Sequence, residues 1–222
     1  MKADNNSKMV KEWTERSKAF IDILHNIQIR RIELGFSHAD LSFLLGKPIN
    51  YVYNIETFLN DKEYYLSDLV RLYDIYNCTP KDLFAKEDEL EPNYRCEAGV
   101  YQYWDNNATK HHEIYENRDF KSRLVYKTSE HIPRVERLKE LKTNLVAEIH
   151  ILIIESYFNE GAEAMFIFNT CRNRVKNNFR PIHLKAVLQY FVETVDPPLL
   201  EIDKVEDRFV YVLSGSKKTQ LI

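Results

Sequence analysis

Glycine is scarce in this chain: five among 222 residues. A loop that cradles phosphate needs several glycines in a short run, so that the backbone can approach the anion. No such run occurs, and a P-loop or dinucleotide fingerprint is excluded. Cysteine is scarcer still. Cys78, Cys96 and Cys171 are widely separated and odd in number, which argues against a disulfide framework and for a reducing cytoplasm. A long apolar run is also missing. The richest stretch, Leu145 to Phe158, is interrupted by Glu148, His150 and Glu155 and is too short and too charged to span a bilayer. Residues 1–12 are polar, without the apolar core of a signal peptide. Positive charge is not in excess, since the net charge is −3. Any nucleic-acid contact therefore has to rest on a local basic face.

Recognisable catalytic patterns are missing too. There is no nucleophile elbow. His111-His112-Glu113, with Cys96 or His131, has neither the CxxC nor the HExxH spacing of a zinc site, and adjacent histidines point different ways on any regular element. Glu140-Leu141-Lys142 falls inside a periodic helix without an Asp partner. The chain reads as a non-enzyme with no cofactor and no metal.

What is present supports packed cores: 44% hydrophobic and 13% aromatic residues, against a disordered composition. The most organised stretch is 35–56, GFSHADLSFLLGKPINYVYNIE. Ser37 and Asp40 have the spacing of a capping box. Leu41, Leu44 and Leu45 recur at helical spacing. Gly46 suits a left-handed helix end, and Pro48 suits the first turn of a following helix. Val52 and Ile55 then turn inward.

This stretch resembles the helix-turn-helix of the lambda-repressor-like (Xre) family. The matching residues are Gly35-Phe36-Ser37, Leu41-Ser42, Leu45-Gly46, Tyr51-Val52 and Ile55-Glu56, and the likeness runs from about Ile21 to Phe84. It implies a five-helix bundle whose second core helix enters the DNA major groove. It puts Ile49, Asn50, Tyr53 and Asn54 at the reading positions. Ser37 is counted with the DNA-binding residues, and Tyr51 and Tyr53 either pack on the sugar-phosphate backbone or fill the bundle. Thr57 and Phe58 stand where the family often has a basic residue and glycine.

Around it, Lys18 to Leu34 reads as a helix. Tyr64 to Tyr76 reads as another, with Leu66, Leu69, Val70, Leu72 and Ile75 inward. Thr79-Pro80-Lys81-Asp82 opens a short fifth helix. Residues 86–95 read as a linker. Residues 96–131 are aromatic and aperiodic, with one extended segment at 122–128. From Pro133 periodicity returns: a helix over 134–159, another over 162–176 with Phe166 inward, and a third from Pro181 to Thr194. Two β-prone runs, 199–203 and 208–213, form a hairpin. Three helices and a hairpin resemble a winged helix in architecture only. The fold class expected is mainly α: an N-terminal five-helix lambda-repressor-like bundle (1–85), a linker and irregular aromatic segment (86–132), and a C-terminal winged-helix-like α+β domain (133–222).

The run CRNRVKNNFRPIHLK, 171–185, holds Arg172, Arg174, Lys176, Arg180, His183 and Lys185 and no acid. In a winged helix it covers the turn into the recognition helix, where phosphates are met. The alternative is a solvated basic helix end, favourable to the helix dipole. Together these features predict a cytoplasmic, sequence-specific regulator that binds double-stranded DNA as a homodimer. The alternative is a protein-interaction module of antitoxin, immunity or adaptor type, with a protein partner in place of DNA. It is suggested by the slightly acidic first 85 residues and by Ile49.

Overall fold

The computed structural model describes residues 13–59, 62–84, 94–118, 121–131, 138–175 and 179–215. Of the linker expected at 86–95, residues 86–93 lie outside them, as do the polar start at 1–12 and the opening of the helix expected from Pro133; Arg95, expected in the linker, begins a strand. In chain order the elements are β1 (Thr14–Ser17), α1 (Lys18–Glu33), α2 (His38–Leu44), α3 (Tyr51–Glu56), α4 (Leu66–Tyr76), α5 (Pro80–Leu83), β2 (Arg95–Trp104), β3 (Thr109–Arg118) and β4 (Lys121–His131). Then come α6 (Leu138–Ile154), β5 (Ala162–Glu163), α7 (Ala164–Arg174), α8 (Pro181–Glu193), β6 (Leu200–Val205) and β7 (Arg208–Leu213).

The mainly α expectation is wrong. Helix accounts for 47% and strand for 27% of the described residues, in two antiparallel sheets of four and three strands. The fold is α+β. The stretch read as irregular, 96–131, is a three-stranded meander, and β1 completes its sheet in the order β1-β2-β3-β4. The reason lies in its inward face. Strands are recognised from alternating apolar residues, but here the alternation is polar: His112, Ile114 and Glu116 on β3, and Thr128 and Glu130 on β4, are buried.

The chain divides into two compact units. The first holds residues 1–37 and 52–133, the second 38–51 and 134–222. The five helices expected to close one N-terminal bundle are therefore split. Helix α2 and the turn after it belong to the second unit, where α2 packs on α7 and α8.

In the first unit, α1 is capped by Ser17, whose hydroxyl accepts from Phe20 N at 3.1 Å. It buries Ile21, Leu24 and Ile27. Helix α5 begins as its sequence predicts: Thr79 caps it, Pro80 is its first residue, and Asp82 accepts from Thr79 N at 2.7 Å. Helix α4 turns differently from its pattern. Leu72 and Tyr76 are buried, while Leu66 and Val70 are exposed. The Asp68 carboxylate takes an inward place and accepts from Tyr65 N at 3.1 Å, which rotates the apolar stripe outward.

In the second unit the three helices and the hairpin of the C-terminal region form, with boundaries within a few residues of those expected. Two residues expected to begin the second of these helices, Ala162 and Glu163, instead form β5 and pair with β7, giving the sheet order β5-β7-β6. The core runs through Leu41, Leu44, Ile149, Leu152, Phe168, Leu184, Leu188 and Phe191. Phe166, expected inward, is exposed. Gly46 is required where it stands. Its φ is +68°, and a Cβ there would sit 3.2 Å from Phe209 O and 3.3 Å from Arg208 Cβ. Its carbonyl accepts from Phe209 N at 2.9 Å, so the turn after α2 lies directly on the hairpin.

Candidate functional site

Helices α7 and α8 meet at a corner that carries the basic run. Its charges divide into two groups. Arg174 Nη1 donates to Glu155 Oε2 at 2.8 Å and lies 3.3 Å from Glu148 Oε1, both on α6. These bonds hold its guanidinium charged more firmly than usual. Arg180 binds the carboxylate of Asp40, a fully buried residue of α2. Asp40 also accepts from Ile182 N at 2.7 Å, so it caps the N-terminus of α8, where a negative charge is favoured. The Asp40 carboxylate thus ties α2 to α8. His183 is drawn into the same cap: Arg180 N donates to its Nδ1 at 3.1 Å. Burial, with the neighbouring Arg180, pushes the imidazole pKa down, so the ring is neutral with its proton on Nε2.

The second group faces water. Arg172 is exposed, Lys185 is half-buried, and neither forms an ion pair among the described residues. Lys176 lies outside the described residues. Of the six basic-run residues assigned to DNA by sequence, Arg174, Arg180 and His183 are bound within the fold, and Arg172 and Lys185 remain outward. Beyond them, α8 presents Ala186, Gln189 and Glu193 to solvent. Gln189 Nε2 lies 3.0 Å from both carboxylate oxygens of Glu193. Sequence reasoning missed Ala186 and Gln189; the signal available was their place opposite the buried stripe Leu184, Val187, Leu188 and Phe191.

The hairpin beside α8 is acidic at its tip. Glu206 and Asp207 are exposed, and Arg208 pairs with Glu163 and Glu206. Lys47, the cation of the turn after α2, binds Asp207 and lies over the Tyr51 ring at 5.2 Å. An apolar groove of about 200 Å³ adjoins it, lined by Phe43, Ile49, Ile202, Phe209 and Tyr211, with Lys185 at its wall.

The positions carried over from the Xre resemblance are not gathered on one helix face. Helix α3 begins only at Tyr51, so Ile49 and Asn50 stand in the turn before it; both are exposed. Tyr51 is buried, and Ser37 and Asn54 are half-buried. Tyr53 is exposed, with Lys110 Nζ 5.8 Å from its ring centre.

A buried polar network in the first unit went unread in the sequence. Arg31 has no solvent exposure. Its Nε and Nη2 donate to the two oxygens of Glu56 at 2.8 Å each, Nη1 donates to Phe36 O at 2.7 Å, and Glu130 lies 3.3 Å away. Burial works against its charge, but Glu56 and Glu130 outweigh it and the pKa is raised. Gln28 donates to Glu56 at 3.1 Å and accepts from Thr128 at 2.9 Å. His112 Nε2 lies 3.4 Å from Glu130, and its Nδ1 is 2.8 Å from Gln102 Nε2. Desolvation lowers the His112 pKa against the pull of Glu130. His111 points the other way, to Asp105 and Ser129. Among the described residues no group of three His, Cys, Asp or Glu side chains is placed to hold a metal ion, and no helix is long and apolar enough to cross a membrane.

No protein-family model matches the chain, and no curated protein or solved structure does either. The likeness to the lambda-repressor-like family rests on the sequence motif alone.

Proposed function

We propose that this chain is a sequence-specific DNA-binding regulator whose duplex contact is made by the α7–α8 corner of the second unit. The observation that carries the reading is connectivity. Helix, strand, helix, helix and two strands, with sheet order β5-β7-β6, is the arrangement of a winged helix, and α8 occupies the place of its recognition helix. Fold alone does not give function, so the residues matter. Arg172 and Lys185 are the cations open to phosphates. Ala186 and Gln189 point outward one turn apart on α8. A Gln amide can bond adenine bidentately, and an Ala methyl can meet the thymine methyl, so an A·T-containing half-site is expected. Arg174, Arg180 and His183 shape the corner and do not touch DNA. A homodimer on paired half-sites and a cytoplasmic location belong to the same proposal; the free thiols of Cys78 and Cys171 suit that compartment.

The test is a comparison of variants. Arg172→Ala with Lys185→Ala reduces duplex affinity and removes about two phosphate contacts from the salt dependence, at roughly 0.9 in slope for each. Arg174→Ala leaves the slope as it was. Equal effects of the two changes would overturn the contact assignment.

A second reading, a protein-interaction module without DNA binding, is favoured by the acidic hairpin tip. Glu206 and Asp207 stand where a wing would meet phosphate, beside the groove of Ile49, Ile202 and Phe209. Retention of DNA binding at low salt decides between them.

A further inference from the structure

The first unit contains a cleft of about 410 Å³ between α1 and the β3–β4 ribbon, within the size range of small-molecule sites. A β-bulge shapes it. Ile114 pairs with Tyr126 but Tyr115 pairs with Leu124, which leaves Val125 as the extra residue of β4. Bulges re-aim side chains, and this one sets Glu116 directly opposite Arg123.

Three groups in the cleft have unfilled bonding capacity. Glu116 is only 3% exposed, yet among the described residues its carboxylate has a single hydrogen bond, from Tyr94 Oη at 2.9 Å. A carboxylate can accept about four, and burying one without a cation is costly. Arg123 is exposed and has five donors. Among the described residues neither Glu116 nor Arg123 forms an ion pair. The third group is His25, whose ring stacks on Tyr126 at 3.9 Å between centres. Its Nδ1 is buried without a hydrogen-bond partner. Asn26 donates to Leu83 O at 3.0 Å, and Lys18, Asp22 and Tyr126 satisfy one another. Lys18 binds Asp22 and donates to Tyr126 Oη at 3.2 Å, and Tyr126 donates to Asp22 at 2.5 Å.

Among the described residues, what remains unsatisfied is one anion, one cation and one neutral nitrogen. We propose that this cleft binds a small zwitterion of the α-amino-acid class, its ammonium on Glu116 and its carboxylate on the Arg123 fork. The cross-strand setting suits this, because directly opposed side chains start about 5 Å apart and bracket a ligand whose two charges lie on adjacent carbons. The carboxylate–guanidinium pair is bidentate and charge-assisted. His25 Nδ1 is left for a polar atom of the ligand side chain, and Leu124 and Val125 supply an apolar wall. The site is independent of the DNA reading and stands whether or not the second unit binds a duplex.

The experiment is thermal-shift screening of the full chain against the proteinogenic amino acids at millimolar concentration, followed by calorimetric titration of those that raise the melting temperature. At least one binds saturably. The corresponding amine without the carboxylate, and the corresponding acid without the ammonium, each bind at least about tenfold more weakly, as loss of one charge-assisted pair requires. Arg123→Ala, an exposed change that leaves the fold intact, weakens binding by a similar factor, and Glu116→Gln does so while keeping the Tyr94 bond. The proposal is overturned if no amino acid binds at these concentrations, if the amine or acid alone binds as tightly, or if Arg123→Ala binds like the parent.

Discussion

Replacing Asp40 tests how the second unit holds its α7–α8 corner. The Asp40 carboxylate is fully buried, binds Arg180 and accepts from Ile182 N at 2.7 Å. Asp40→Ala removes a charge-assisted helix cap, about 1–2 kcal/mol, and a charged hydrogen bond to Arg180, about 1.5–3 kcal/mol. The Arg180 side chain is 23% exposed and can regain part of this by turning to water. A net loss of about 3 kcal/mol is expected, and about half of that for Asp40→Asn, which still accepts from Ile182 N. With a urea dependence near 1.5 kcal/mol per molar, the midpoint of the Ala variant falls by about 2 M. Far-UV circular dichroism follows the transition. Trp13 and Trp104 both belong to the first unit, so their fluorescence shows whether that unit is disturbed directly. Midpoints within about 0.3 M of the parent for both variants would refute the assignment of Asp40 as the cap of α8.

Three further outcomes follow from the packing. Arg31→Met leaves Glu56 and Glu130 buried without their cation and lowers stability by about 3–5 kcal/mol; urea titration showing a loss under about 1 kcal/mol would contradict the network. Gly46→Ala costs about 1–2 kcal/mol from its left-handed backbone and adds crowding against Phe209 O, so its thermal midpoint falls; an unchanged midpoint would refute the close approach of turn and hairpin. Burial holds the His25 pKa down at about 4. The unfolded chain therefore binds the extra proton first as pH falls from 6.5 toward 4, and stability is lost across that window. The ring is partly exposed, so the loss is discounted to about 1–2 kcal/mol; His25→Gln flattens this part of the pH–stability curve, and an unchanged curve would show that His25 does not contribute.

Much of the helical framework was readable because its signals are local. The cap and proline of α5, the periodic stripe of α8 and the hairpin after Pro198 need no tertiary context. The meander over 95–131 was not readable, because its inward positions carry His112, Glu116, Thr128 and Glu130 where an apolar alternation is sought. Thr128 and Glu130 make sense only once Gln28 and Arg31 of α1 face them. The basic run was visible as a run, but charge in sequence does not say where a side chain is committed. Glu148 and Glu155 lie some twenty residues before Arg174, and Asp40 lies 140 residues before Arg180, so nothing local marks these cations as internal. Asp40 shows the same limit: its spacing from Ser37 marks a candidate cap on its own helix, and nothing local shows that its carboxylate also binds α8. The cleft beside α1 depends on a bulge at Val125, which no residue pattern announces.

The measurement that bears most directly on the proposed function is fluorescence anisotropy of a labelled random-sequence duplex titrated with the purified chain, from low to physiological salt. Binding is expected at low salt and weakens steeply as salt rises, with the slope reduced when Arg172 and Lys185 are replaced by alanine. Absence of binding even at the lowest salt would contradict it and leave the acidic hairpin and its apolar groove as the surface to pursue.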